Sequence, residues 1–226
     1  MKKTFYTELA YLLGTAVLAL GTAMMERADF GVSMVVAPAY LLHLKLSRYF
    51  SFFTFGMAEY ILQAALIAAL AVVQRKLKKY YLFSFVTAVL YGTLLDGAIW
   101  LISRFAWASM ASRILCYGVG MVLCSTGVAL LFRTYVTPGA YELFVKEISN
   151  KLNMPIGKFK TIYDCTSCVI SILLSFLFFG LWHFEGIKLG TIICSLLNGW
   201  LIVRITALSE KAFSFCDALP LRKYFE

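Results

Sequence analysis

Residues 113–132 read RILCYGVGMVLCSTGVALLF, twenty positions with a single charge, Arg113, at the first of them. A helix rises about 1.5 Å per residue, so about 20 apolar residues cross the hydrocarbon core of a bilayer. This stretch therefore reads as a membrane-spanning helix. Five more stretches of that length and character flank it, at 7–25, 52–73, 80–103, 159–181 and 187–208. Two shorter segments, 32–47 and 137–151, lie between spans. Of the 226 residues, 61% are hydrophobic and 15% charged, and the mean hydropathy is +0.80. A soluble domain carries about 45–50% apolar and about 25% charged residues, so the composition excludes a cytosolic globular enzyme and a disordered chain. Met1-Lys2-Lys3 followed by an apolar run resembles a signal peptide, but no small-residue cleavage site precedes a soluble domain, and the run reads as the first span.

The formal charge is +9. The basic residues sit mostly between apolar stretches, which points to membrane topology and away from nucleic acid. With six spans, fifteen of the 21 Lys and Arg fall on the side that holds both termini, led by the Arg75, Lys76, Lys78 and Lys79 cluster. The positive-inside rule then places both termini in the cytoplasm.

The segment 137–151 is amphipathic. Tyr141, Phe144, Val145, Ile148 and Leu152 recur at helical spacing, with Glu142, Lys146, Glu147, Asn150 and Lys151 on the other face. That is too charged to span. Thr137-Pro138 predicts an N-cap and first helical residue. The segment 32–47, with Pro38 mid-run, is re-entrant, interfacial or a strained span; the sequence leaves these open.

The spanning stretch that opens this section has a relative earlier in the chain. Shifted by 106 positions, Tyr11, Gly14, Gly21, Ala23 and Arg27 fall on Tyr117, Gly120, Gly127, Ala129 and Arg133. After a five-residue gap, Phe55-Gly56 falls on Ile156-Gly157, and further on Tyr91-Gly92 falls on Asn198-Gly199. Two halves of three spans each, about 9–103 and 113–208, must enter the membrane from opposite sides. Inverted repeats of this kind mark transporters with a midplane site; a packing duplication without transport is the plain alternative. If both short segments also spanned, the repeats would be parallel. The fold class expected is an all-α polytopic membrane protein: one domain, six transmembrane helices plus two short re-entrant or interfacial helices, and two inverted-topology repeats.

Ionisable groups in hydrocarbon cost about 2.5–3.5 kcal/mol on insertion scales and are functional candidates by default. Glu59 and Gln63 stand one turn apart, and their repeat-mates Lys160 and Asp164 do too. Lys160 and Asp164 can pair with each other or, across the repeat axis, with Glu59. They read either as an ion pair locking the halves or as a binding or proton-coupling site with Asp164 or Glu59 as the coupling carboxylate. Glu142 stands on the polar face of the amphipathic helix, and Asn198 can bond across helices. The helix starts at Thr137 and, in the first half, Ser33 offer backbone N–H groups and a positive dipole end to an anion, or are simply capped. The candidate substrate-binding set is Glu59, Gln63, Lys160, Asp164, Ser33, Thr137, Glu142 and Asn198.

Other polar residues have plainer readings. Asp96 reaches an interface, Arg204 snorkels, and Arg27 and Arg133 anchor span ends or line a path. His43 and His183 have no second ligand at useful spacing, so no metal is expected. Cys165-Thr166-Ser167-Cys168 spells CxxC in mid-helix, where the thiols are inert, unlike a redox pair at a helix N-terminus. There is no Walker loop, HExxH or GxSxG; an enzyme is not expected, nor a cofactor.

The stretch Ala28-Asp29-Phe30-Gly31-Val32-Ser33 resembles the A-D-L-G-V-S-P stretch of the YitT/YczE-like family of small bacterial integral membrane proteins, with Met34 where that family has proline. Pro138, Glu142, residues 157–164 (GKFKTIYD), Gly190-Thr191 and Gly199 also look like family positions. The resemblance covers about 10–205. It implies a multi-pass protein of the bacterial inner membrane and supplies no substrate. The function expected is transport of a small anionic or zwitterionic solute, with proton coupling as an option. The rivals are a solute-binding membrane subunit that needs an ATPase and a non-transporting scaffold or regulator. The partners expected are the lipid bilayer, a small-molecule solute and, as an option, a second copy in a homodimer.

Overall fold

The computed structural model describes residues 3–31, 33–53, 55–76, 78–105, 109–181 and 187–224. His183 and Val32, both singled out above, lie outside them. The chain runs β1 (Lys3–Tyr6), α1 (Thr7–Ala28), α2 (Ala37–Leu46), α3 (Phe55–Gln74), α4 (Phe83–Ser103), α5 (Met110–Leu131), α6 (Ala140–Lys151), α7 (Ile156–Phe179), α8 (Leu189–Ala212) and β2 (Phe213–Cys216). Six helices, α1, α3, α4, α5, α7 and α8, are long and apolar enough to cross a membrane. The protein is an all-α polytopic membrane protein.

Its radial polarity supports that conclusion. Large apolar side chains such as Val72, Leu115, Leu173 and Leu177 point outward, while Thr15, Ser125, Lys160, Asp164, Ser171 and Ser175 are buried. Water would reverse that arrangement; a hydrocarbon solvent favours it, provided the inward polar groups find partners.

The two short helices hold to their expected regions with shifted starts. Pro38 does not interrupt α2 but opens it, in the first turn, where its missing N–H costs nothing. At ten residues α2 is half the length a span needs. For α6 the expected Thr137 cap is corrected: the cap position is Gly139 and the first helical residue is Ala140. The Thr137 carbonyl is taken by the Thr87 hydroxyl at 2.8 Å, and the Glu142 carboxylate folds back towards Gly139, into the space a Thr137 cap would serve. A second difference is the short parallel pairing of β1 with β2, in register Lys3–Phe213 to Tyr6–Cys216. Four-residue strands at opposite ends of the chain carry no sequence signal of each other.

The bundle is organised around α1 and α5. A Cβ on Gly21 would meet the Gly120 carbonyl at 2.7 Å, and one on Gly14 would meet the Gly127 carbonyl at 3.1 Å. The helices are therefore antiparallel and so close that the facing positions admit no side chain. The other packed pairs come in matching sets. α4 lies on α1 as α8 lies on α5; α2 touches α3 as α6 touches α7; and each short helix also packs on the other half, α2 on α7 and α6 on α3. Two sets are unmatched: α7 runs along α8 while α3 and α4 barely touch, and α6 touches α4 with no comparable contact of α2 on α8.

Both ends of the α1–α5 pair are tied. At one end Asp29, just past α1, holds Arg113 at 3.1 Å and Lys188 at 2.6 Å. The Lys188 hydrogen bond, and then the two positive charges, hold the Asp29 carboxyl below the usual range. At the other end Glu8 accepts the Tyr135 hydroxyl at 2.8 Å and the backbone N–H groups of Ala218 and Leu219.

Candidate functional site

The centre of the bundle carries a continuous polar chain across three helices. Lys160 lies in the second turn of α7 and Asp164 one turn later, so both face the same way. Lys160 Nζ donates to Asp164 Oδ1 at 2.6 Å. Asn198 of α8 donates from Nδ2 to Asp164 Oδ2 at 3.1 Å, and its Oδ1 accepts from Ser125 Oγ of α5 at 2.9 Å. Lys160 is 1% exposed and Asp164 0%. The lysine thus pairs within its own helix, and Glu59 is engaged elsewhere. Asn198 fulfils the expected cross-helix bond.

The position of this chain along the bundle follows from its neighbours. Asn198 stands near the middle of α8, and Cys124, beside Ser125, reaches the Leu18 carbonyl in the middle of α1. Gly157 and Gly199 let α7 close on α8 there: a Cβ on Gly199 would meet the Gly157 carbonyl at 2.6 Å and collide with the Thr161 hydroxyl.

The start of α6 enters the same region. Glu142 is buried and close enough to Lys160 for their charges to interact. Tyr141 donates its hydroxyl to Glu59 Oε2 on α3 at 2.6 Å, and Gln63 Nε2 reaches the same oxygen at 3.4 Å. The other end of α6 lies beside the last residues of α3, where Gln74 bonds Glu147 and Lys151 bonds the Val73 carbonyl. α6 therefore runs outward from the bundle centre. The central group so assembled has three carboxylates, Glu59, Glu142 and Asp164, and one cation, Lys160.

Three buried polar atoms in this region have no hydrogen-bond partner among the described residues: Glu59 Oε1, Gln63 Oε1 and Thr137 Oγ1. Ser33 stands apart. Its carbonyl accepts the N–H groups of Val36 and Ala37, and its hydroxyl contacts Met34 Sδ at 3.7 Å. Met34 is buried in an apolar cluster with Met25, Ala28, Cys116, Tyr117, Cys168 and Cys194.

The remaining candidates take peripheral places. Asp96 and Arg27 are exposed; Arg204 lies over the Trp200 ring at 5.5 Å; Arg133 pairs with Glu210 of α8. His43 Nδ1 meets the Phe53 carbonyl at 3.0 Å. Cys165 and Cys168 are free thiols, and no cluster that could hold a metal ion occurs among the described residues.

Sequence reasoning missed three members. Tyr141 reads as part of an apolar face, and its hydroxyl becomes visible only once α3 lies beside it. Ser125 reads as a small packing residue of α5. Tyr91 is the repeat-mate of Asn198, a signal that was available: its hydroxyl bonds Thr22 of α1 at 3.0 Å, as Asn198 bonds Ser125 of α5.

Comparisons with other proteins match most of the chain. The chain is similar to the uncharacterized protein YyaS of Bacillus subtilis (strain 168), with 24% identity over 208 residues, covering 90% of this chain and 94% of the relative. No solved structure matches it. Residues 5–207, which take in every spanning helix in whole or large part and all of the central polar chain, match DUF6198, a family of unknown function, and the chain belongs to that family.

Proposed function

We propose that the protein is a membrane transporter that binds a small charged solute at the centre of the bundle. One observation carries this reading: the buried Lys160–Asp164–Asn198–Ser125 chain lies where the start of half-helix α6 brings Glu142 and Tyr141. Polar groups this deep are costly to build, and a broken helix at mid-bundle is the usual way a transporter presents them to a solute.

An inverted repeat is part of the proposal. The glycine contacts support it, because exchanging the halves turns the Gly14–Gly127 contact into Gly120–Gly21. The matched helix pairs support it too. The mismatch between α7 closed on α8 and α3 apart from α4 means that the two repeats hold different internal arrangements, and exchanging those arrangements between the halves would give a second state. The cytoplasmic placement of both termini in a bacterial inner membrane, and the likeness to YitT/YczE-like proteins, belong to the same reading. Of the two solute classes expected, the zwitterion is favoured over the simple anion, because Lys160 is already faced by Asp164 and Glu142 and Glu59 is bonded only by Tyr141 and Gln63.

A second reading has its own support. Lys160 and Asp164 close on each other at 2.6 Å, which is also what an ion pair locking a scaffold would do. A thermal-shift screen of a metabolite library on purified wild type beside Asp164→Asn separates the two. A ligand in a hundredfold excess over its Kd stabilises by about 2.7 kcal/mol. The transporter reading expects a compound that raises the melting temperature of wild type and not of the folded variant, and that exchanges across proteoliposomes. A less stable variant with no hit in either protein supports the lock.

A further inference from the structure

We propose that the solute carries a protonated primary or secondary amine, and that its N–H groups are received by Glu59 Oε1 and Gln63 Oε1 of α3. The assignment rests on the transporter reading above and names the chemistry of one end of its solute.

The argument is one of donors and acceptors. Glu59 and Gln63 are one turn apart on α3, and Gln63 is 8% exposed. Glu59 Oε2 is served by the Tyr141 hydroxyl at 2.6 Å and by Gln63 Nε2. Glu59 Oε1 and Gln63 Oε1 are both acceptors, both buried, and both without a donor among the described residues. Leaving such atoms unpaired in a low-dielectric interior is costly, so a protein keeps them where something else completes them. The missing species must bring hydrogen-bond donors.

It must also bring positive charge. Lys160, the cation of the central group, is committed to Asp164 at 2.6 Å and faces Glu142. Glu59 is bonded by neutral groups. An ammonium with at least two N–H groups satisfies charge and both oxygens together, in charge-assisted hydrogen bonds. A carboxylate or phosphate at the same place would meet two acceptors and a negative charge. A quaternary ammonium would bring the charge without the N–H groups.

Calorimetric titration of the purified protein in detergent tests this. The probes are L-amino acids, ethanolamine, putrescine and spermidine on one side, and acetate, lactate and succinate on the other. Choline and glycine betaine serve as the N-methylated counterparts. The expected result is binding by at least one amine probe, weakened about tenfold or more by N-methylation, by Glu59→Gln and by Gln63→Met. Gln63→Met deletes an unpaired acceptor together with a 3.4 Å bond to Glu59 Oε2, which keeps the Tyr141 hydroxyl, so it should melt near the wild-type temperature and a loss of binding there is not a loss of fold.

Three results would overturn the assignment. Binding of carboxylates alone, lost in Asp164→Asn but kept in Glu59→Gln, would leave the central site standing and remove the ammonium. A melting temperature that depends on pH in wild type and not in Glu59→Gln, with no amine binding, would show that the two oxygens share a proton. No response to any probe in any variant would remove both the assignment and the transporter reading.

Discussion

Lys160 and Asp164 are fully buried charges whose worth depends on each other and on Asn198. A buried pair repays its desolvation only when its geometry is good and its remaining lone pairs are filled. Here one aspartate oxygen takes the ammonium and the other the asparagine amide. Asp164→Leu should therefore destabilise by about 3 kcal/mol, at the low end of the range for breaking a buried pair, because Glu142 still faces Lys160. Replacing both, Lys160→Met with Asp164→Leu, should restore only part of that loss, because it removes the pair but leaves Glu142 buried without its lysine and the Asn198 amide without its acceptor. Reversible unfolding in detergent, monitored by circular dichroism, measures both. At this scale the pair was legible in the sequence, since spacing of i and i+4 fixes which residues share a helix face. The Asn198 bond was legible as a tendency. The Tyr141 hydroxyl was not, because the partner of a side chain on one helix depends on which helix comes to lie beside it.

At the scale of elements, glycine divides into two kinds. Gly21 and Gly127 lie where α1 and α5 nearly touch, and a methyl group on Gly21 would meet Cys124 N at 2.6 Å and the Gly120 carbonyl at 2.7 Å. Both are backbone atoms and cannot rotate away. Gly92, in α4, has nothing within 4 Å of its Cβ position. Gly21→Ala should thus force the helices apart and cost about 1–3 kcal/mol, as overpacking does. Gly92→Ala should be neutral or stabilising by up to about 1 kcal/mol, the difference in helix propensity. The same unfolding assay in detergent distinguishes them, and equal effects would contradict the packing described. Both glycines belong to the repeat pattern, so the sequence alone ranks them together. Burial against a particular neighbour separates them. The start of α6 makes the same point: Thr137-Pro138 is a good local cap, yet the tertiary bond from Thr87 and the carboxylate of Glu142 move the cap to Gly139.

At the scale of the molecule, the parallel pairing of β1 with β2 sets both termini on one face, and Glu8 fastens them to the α5–α6 connection through Ala218, Leu219 and Tyr135. Cys216 is exposed on that face. A membrane-impermeant thiol reagent should label Cys216, and a cysteine placed at Thr4, only after intact cells are permeabilised, if the basic loops face the cytoplasm. Labelling of both before permeabilisation would reverse the orientation; labelling of one alone would break the shared face. The tie at the opposite end, Asp29 with Arg113 and Lys188, joins the starts of α5 and α8 to the end of α1. The two ties hold opposite ends of the same antiparallel helix pair.

The sequence by itself determined that the chain lives in a membrane, the six stretches that can cross it, the two short helices between them, and the helix faces that carry Glu59, Gln63, Lys160 and Asp164. These are consequences of apolar length and helical period, which act within a segment. The tertiary structure alone decided which of these faces meet. It turned Lys160 to Asp164 and away from Glu59, brought Tyr141 to Glu59, left two acceptors of α3 without donors among the described residues, and paired the two short strands from opposite ends of the chain. The physical reason is that a side-chain hydrogen bond or ion pair between elements is set by how closely two helices approach, and that approach depends on glycines and carbonyls from opposite halves of the chain.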